Sequence, residues 1–239
     1  MGQRIIDLSL PIVAGEYWTK YPAGVVYGHE EPPTAIECFS TIEKTTVCMH
    51  KYSSTTQSFT HIDAPRHVYD DGTTNDQVAL ERLIGDAAVI DVTYKQPNEV
   101  ITAADLEKNG GHVREGDIAI IRTGWTERGP WGTERFWRDM IYLAEDAGEW
   151  LDKKNVKAIA VDFLPDLPQF YTDAADGRLC PTDLGHPTHM RLMKKGLVFV
   201  EWCTNLAAIK KPRVKFFCLP LRLVGTDGAQ ARVIAIEED

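Results

Sequence analysis

Apolar and polar positions change period repeatedly along this chain, and the changes predict an alternation of strands and helices. Arg4 to Leu10 alternates as a half-buried strand and stops at Pro11. Ala35 to Ser40 and Thr45 to Tyr52 read as a strand pair. The run from Ser53 to Asp63, carrying Thr55, Thr56, Phe59, Thr60 and Ile62, continues as extended chain. Gln77 to Ile84 predicts a short helix behind a cap at Asp76. Ala87 to Val92 has the continuous apolar character of a central strand, and Thr102-Ala103-Ala104-Asp105 opens a helix with a capping-box pattern that Gly110-Gly111 closes. Asp117 to Arg122 is a further strand, Thr133 to Lys154 is helical in two pieces about Gly148, and Lys157 to Val161 returns as a strand ending at Asp162.

After that strand comes a long connection, Leu164 to Gly185, rich in Asp and Pro, which reads as an active-site flap or a subunit contact. Pro187 suits the first position of a helix that Gly196 stops, and Leu197 to Trp202 is again a strand. Val214 to Val224 and Ala231 to Ile236 complete a sheet. No internal repeat, low-complexity segment or linker interrupts the pattern, which predicts a single mixed α/β domain over residues 1–239.

Composition narrows the possible partners. The chain has 239 residues, 44% hydrophobic and 26% charged, enough for one large core. A net charge of -9, with no long Lys/Arg cluster, argues against nucleic acid or an anionic membrane as partner. The first residues lack the apolar core of a signal peptide, and no apolar run reaches the length of a membrane span, so a cytoplasmic location is expected. Five cysteines, Cys38, Cys48, Cys180, Cys203 and Cys218, are scattered without a C-x-x-C, so buried thiols are the default.

The chemistry concentrates between Gln57 and His67. In an extended strand Gln57, His61 and Asp63 share one face, and a His-x-Asp pair on one face is a metal half-site. Pro65 ends the strand and His67 follows on the turn. His189 lies in the first turn of the helix after Pro187, with His186 just before it. Glu201 lies twelve residues beyond His189 on the next strand, so helix and returning strand can bring both to one end of the sheet. Imidazole and carboxylate suit zinc or manganese.

Thr60-His61-x-Asp63-x-Pro65-x-His67 resembles the H-x-G-T-H-x-D-x-P-x-H signature of the cyclase family of metal-dependent hydrolases, which includes bacterial kynurenine formamidase and isatin hydrolase. Asp7-Leu8-Ser9-x-Pro11, Ala160-Val161-Asp162, His189 and Glu201 extend the resemblance over nearly the whole chain. It implies a swivelling β/β/α architecture, assembly as a homodimer or homotetramer, and a small-molecule substrate. It further implies metal ligation by His61, Asp63, His189 and Glu201, with His67 as general acid/base. The chain departs from the signature at Gln57, where the family has its first metal-binding His, and at Phe59, where it has Gly. A neutral Gln carbonyl as fifth ligand favours harder ions such as manganese. Phe59, Trp18 and His186 are the candidates for contact with substrate. The reaction implied is metal-assisted hydrolysis of an amide, lactam or lactone. A lyase or cyclase using the same groups for proton transfer, and a binding protein that has lost catalysis, are the alternatives.

Overall fold

The computed structural model describes residues 2–15, 32–129, 133, 135–136, 139–166 and 187–238. The aromatic loop with Trp18, most of the long connection with Cys180, and His186 lie outside the described residues. In chain order the strands are β1 (Gln3–Asp7), β2 (Ala35–Ser40), β3 (Met49–Ser53), β4 (His61–Asp63), β5 (Ile84–Asp91) and β6 (Val100–Ile101). They continue with β7 (Ile118–Arg122), β8 (Tyr142–Leu143), β9 (Ala158–Val161), β10 (Val198–Glu201), β11 (Arg213–Pro220) and β12 (Gly228–Glu238). The helices are α1 (Ile42–Thr45), α2 (Leu80–Leu83), α3 (Ala103–Asn109), α4 (Trp125–Arg128), α5 (Glu145–Lys153) and α6 (Pro187–Met193).

Seven strands close into a mixed barrel in the order β12-β11-β5-β7-β9-β10-β4, with β4 pairing back onto β12. Strands β5, β7, β9 and β10 run parallel, while β4 and β11 are antiparallel to their neighbours. Strand β1 adds to the edge of β12 beyond the ring. The parallel strands are apolar on both faces because both are covered. One face fills the barrel: Ile62, Ala87, Val89, Ile118, Ile120, Ala158, Ala160, Val198, Val200, Val214, Phe216 and Val233 form a single buried cluster drawn from every closing strand. Alanines recur there because a narrow ring cannot hold a large side chain at each position. The other face carries Ala88, Ile90, Ala119, Ile121, Ile159, Val161 and Phe199 against Leu106 of α3, Ala147, Trp150 and Leu151 of α5, and Leu192 and Met193 of α6.

The capping box at α3 forms as the sequence predicts: the Thr102 side chain accepts from Asp105 N–H while the Asp105 carboxylate accepts from Thr102 N–H. Pro187 opens α6, and Gly196 follows it at φ 73°. Four expectations change. The stretch after β3 is not a continuous strand: residues 54–60 turn, with Phe59 at φ 59°, and β4 keeps only three residues. Side chains hold that turn. The Thr60 hydroxyl donates to Trp202 O at 2.6 Å and accepts from Leu10 N–H at 2.8 Å, and the Gln230 amide donates to Ser58 O at 3.2 Å. Such local bonds compete successfully with a sheet ladder. Gly148 lies inside α5, facing Thr188 of α6, and does not divide a helix. Asp76 caps no long helix. It lies within a 3₁₀ turn, Asn75–Gln77, and accepts from Gly225 N–H at 2.9 Å, while α2 begins only at Leu80. Cys203 and Cys218 are buried as expected, but Cys38 and Cys48 are exposed on the β2–β3 hairpin.

Candidate metal centre

The antiparallel register between β4 and β10 assembles the core of the site. His61 faces Glu201 and Asp63 faces Phe199 across the ladder, and directly opposed residues share a face. Asp63, two residues after His61, falls on that face too, while Ile62 between them enters the barrel. Helix α6 lies over this outer face and brings His189, whose ring stacks on Phe199 at 4.3 Å between centroids and 21° between planes. The nitrogen His189 Nε2 is 3.0 Å from Glu201 Oε1 and 3.5 Å from Asp63 Oδ2. His61 Nε2 lies 3.3 Å from Asp63 Oδ1 and 4.0 Å from Glu201 Oε2. All four side chains are buried.

Their outward nitrogens are fixed from behind. His61 Nδ1–H donates to Phe59 O at 2.8 Å, so the turn that displaces the strand also sets this tautomer and aims Nε2 at the carboxylates. His189 Nδ1 bonds the buried carboxylate of Asp166, which also accepts from Thr188 N–H at 2.9 Å and His189 N–H at 3.3 Å. A carboxylate behind an imidazole fixes the ring and raises its basicity.

Charge and desolvation are out of balance here. Neither oxygen of Asp63 nor Nε2 of His61 makes a hydrogen bond of normal geometry, though all three are buried. Burying a carboxylate uncompensated costs on the order of several kcal/mol, so cations must answer it. Without an ion, protons do: burial alone would lower His61, yet Asp63 and Glu201 raise it to about 9. Burial likewise works against His189, but Asp166, Asp63 and Glu201 hold it well above the usual imidazole range. Asp63 is kept well below the carboxylate range by His67, His61 and His189 against the effect of burial, while burial and Asp63 push Glu201 up. Single donor atoms of His61, Asp63 and Glu201 lie within 4.8 Å of one another. Two imidazoles and two carboxylates converging on one buried point, with His61 Nε2 and both Asp63 oxygens unbonded, fit a divalent ion.

Beside the cluster, Pro65 turns the chain into a 3₁₀ segment ending at His67. The His67 ring centroid is 6.0 Å from that of His189. His67 Nδ1 is 3.2 Å from Asp227 Oδ2, an oxygen that also accepts from Gln57 Nε2 at 2.8 Å, and the Thr56 hydroxyl donates to Asp227 Oδ1 at 2.8 Å. Burial acts to raise Asp227, but these three donors, His67 foremost, draw it down to about 2. Burial acts to lower His67, and Asp63 and Asp227 raise it. Asp227 sits where β12 meets β4: a Cβ on Gly228 would come within 2.2 Å of Ile62 O, so only glycine admits this approach. Gln57 therefore reaches the site through the 54–60 turn, with its amide nitrogen on Asp227, and not by strand alternation with His61. Phe59 is fully buried in the layer between sheet and helices. Trp18 and His186 lie outside the described residues.

Asp166 and Asp227 were not among the sequence candidates. Asp227 stands in Gly225-Thr226-Asp227-Gly228, which reads as a turn. Asp166 is too far before Pro187 to be recognised as a cap of α6.

Residues 6–165 match the family described as "Putative cyclase", and the chain belongs to that family. It is 30% identical over 188 residues to Cyclase-like protein 3 of Oryza sativa subsp. japonica, covering 76% of this chain and 63% of that protein. It is 26% identical over 181 residues to a kynurenine formamidase of Salinibacter ruber, covering 75% of each. The chain spans between 62% and 66% of the length of four plant cyclase-like relatives. Its fold is that of isatin hydrolase A from Ralstonia solanacearum, with a TM-score of 0.79 at 23% identity over 99% of this chain and 92% of that one. An isatin hydrolase bound to thioisatinate superposes with a TM-score of 0.81 at 20% identity, over 99% of this chain and 93% of that one.

Proposed function

We propose that the protein is a metal-dependent hydrolase that cleaves the C–N bond of an amide, a lactam or a related cyclic or aryl substrate, with lactone C–O cleavage as the nearest variant. The observation that carries this reading is the buried convergence of His61, Asp63, His189 and Glu201 beside His67, with His61 Nε2 and both Asp63 oxygens unbonded. The kynurenine formamidase relative and the isatin hydrolase fold support it. In this reading His61, Asp63, His189 and Glu201 hold zinc or manganese. A divalent ion there supplies Lewis-acid polarisation of the scissile carbonyl and lowers the pKa of a water molecule.

The remaining work falls to side chains. Phe59 O and Asp166 keep His61 and His189 in the tautomers that turn Nε2 inward. Asp227 holds His67 by Nδ1, leaving Nε2 to take a proton from the attacking water and return it to the leaving nitrogen. Gln57, with its amide nitrogen on Asp227, retains only its carbonyl oxygen as a possible fifth ligand. Phe59, Trp18 and His186 remain proposed contacts to substrate.

Chelator-treated and manganese- or zinc-loaded protein, assayed on aryl formamides, lactams, imides and lactones, tests the reading. Turnover that depends on the ion and places labelled solvent oxygen in the product is the expected result. Metal-dependent turnover without label would mark a lyase, and no turnover on any member would overturn the assignment. Among the described residues no helix is long and apolar enough to cross a membrane. A cytoplasmic location and a homodimer or homotetramer complete the proposal. Light scattering of the purified chain would measure that assembly.

A further inference from the structure

The β2–β3 hairpin forms a two-stranded sheet of its own, separate from the barrel. It gathers the only cysteine-containing donor cluster among the described residues: one atom each from Cys38, Cys48 and His50, all within 4.8 Å of one another. The register explains the convergence. Cys38 is the direct cross-strand partner of His50, so the two share a face, and Cys48, just before β3 where the register shifts between Cys38 and Ser40, brings its sulfur to the same group. Cys48 Sγ lies 3.9 Å from His50 Nδ1.

The turn leading into Cys48 is held by its own polar side chains. Ser40 Oγ bonds Thr45 Oγ1 and donates to Val47 O at 3.0 Å, and Thr45 Oγ1 also reaches Val47 O at 3.0 Å. The chain therefore enters Cys48 from a fixed position. A tetrahedral ion with ordinary zinc–sulfur and zinc–nitrogen bonds places its donors about 3.6 to 3.8 Å apart. Bringing the three atoms to that spacing asks for shifts of about an ångström or less, which rotation of exposed side chains supplies. Nothing in the barrel cluster resembles this set, for it offers only imidazole and carboxylate.

We propose that Cys38, Cys48 and His50 form a second metal site, on the surface of the hairpin, that takes a thiophilic ion such as zinc or copper(I) through two thiolates and an imidazole. All three residues are exposed, so the ion enters from solvent, and its remaining coordination position is open to water or an external donor. Binding expels the thiol protons, so affinity rises with pH. Manganese, a hard ion, is excluded by the sulfur donors, and the two sites therefore sort metals by softness.

Cobalt(II) titration of the reduced, chelator-treated full chain tests this, because thiolate-to-cobalt charge-transfer absorption cannot arise from the barrel cluster. One equivalent of cobalt producing that absorption is expected. The absorption should vanish in the Cys38→Ser/Cys48→Ser double variant and survive intact in His61→Ala. His50→Ala should weaken cobalt binding at least tenfold while leaving some thiolate absorption. A reduced chain that gives no thiolate absorption overturns the proposal, as does absorption that persists in the double serine variant. A chain whose Cys38 and Cys48 only oxidise to a disulfide, with no cobalt taken up by the reduced form, overturns it equally.

Discussion

His67 Nδ1 and Asp227 Oδ2 meet at 3.2 Å across 160 residues of sequence, with Gln57 and Thr56 bonded to the same carboxylate. A carboxylate held by three donors cannot swing away, so the ring it binds has one orientation and one tautomer. Asp227→Asn keeps the shape but puts a donor or a weak acceptor where a charge stood. It should lower kcat about a hundredfold, within the range of general acid–base contributions, with little change in KM. His67→Gln should cost at least as much, and the double variant little more than His67→Gln alone, because the two act as one unit. Steady-state kinetics of the three variants measures this. Additive losses would show that Asp227 acts independently of His67.

Asp166 stands in the same relation to His189 as Asp227 to His67, and it is buried where the Asp227 side chain is 33% exposed. Asp166→Asn removes the charge behind the imidazole and leaves the backbone N–H groups of Thr188 and His189 an acceptor. Such losses typically weaken a metal site by roughly 10- to 100-fold. Competition with a chromophoric chelator should return that factor for manganese and zinc alike. Unchanged affinity would place His189 outside the ligand set.

The chelator-treated protein should lose stability as pH rises through about 9, the value to which Asp63 and Glu201 lift His61. A group whose pKa is raised on folding contributes fully below its unfolded value, near 6.5, and its contribution disappears above the folded one. Asp63, drawn well below its ordinary value, works at the other end, its contribution present above about 4 and lost as pH falls. The thermal midpoint of the metal-free chain should therefore fall as pH rises from about 6.5 through 9 and beyond. Metal-loaded protein should not follow that alkaline fall, since the ion replaces the proton as counter-charge. Parallel melting curves of the two forms from pH 4 to 10 would show whether the midpoints diverge.

What the sequence made legible follows from how locally each feature is determined. The strand order of apolar runs, the Thr102–Asp105 capping box and the Pro187 helix start depend on neighbouring residues, and the fold realises them with small shifts in boundaries. His61, Asp63, His189 and Glu201 were legible as a group because strand alternation and the helix-then-strand spacing constrain them. The path of residues 54–60 was not. Thr60 and Gln230 bend it by bonds to Trp202 and Ser58, partners that no local pattern reveals, and β-favouring threonines there concealed a turn. Asp166 and Asp227 remained hidden for a related reason. Each looks like an ordinary loop carboxylate until the barrel closes and sets it behind an imidazole.

Gln57 is the position where that hidden turn changes the chemistry. With its amide nitrogen on Asp227 at 2.8 Å, Gln57 helps hold the carboxylate that holds His67. Gln57→Ala removes one of the donors that keep Asp227 near 2, so the carboxylate becomes less firmly placed. Metal stoichiometry should stay at the wild-type value, and kcat should fall by about three- to tenfold, in keeping with the loss of one hydrogen bond worth about 1 kcal/mol. Elemental analysis of the purified variant, run beside its kinetics, distinguishes this from a ligand role. Loss of the bound ion in Gln57→Ala would show that the carbonyl oxygen coordinates it, and retention of the ion with reduced kcat would place Gln57 in the support of His67.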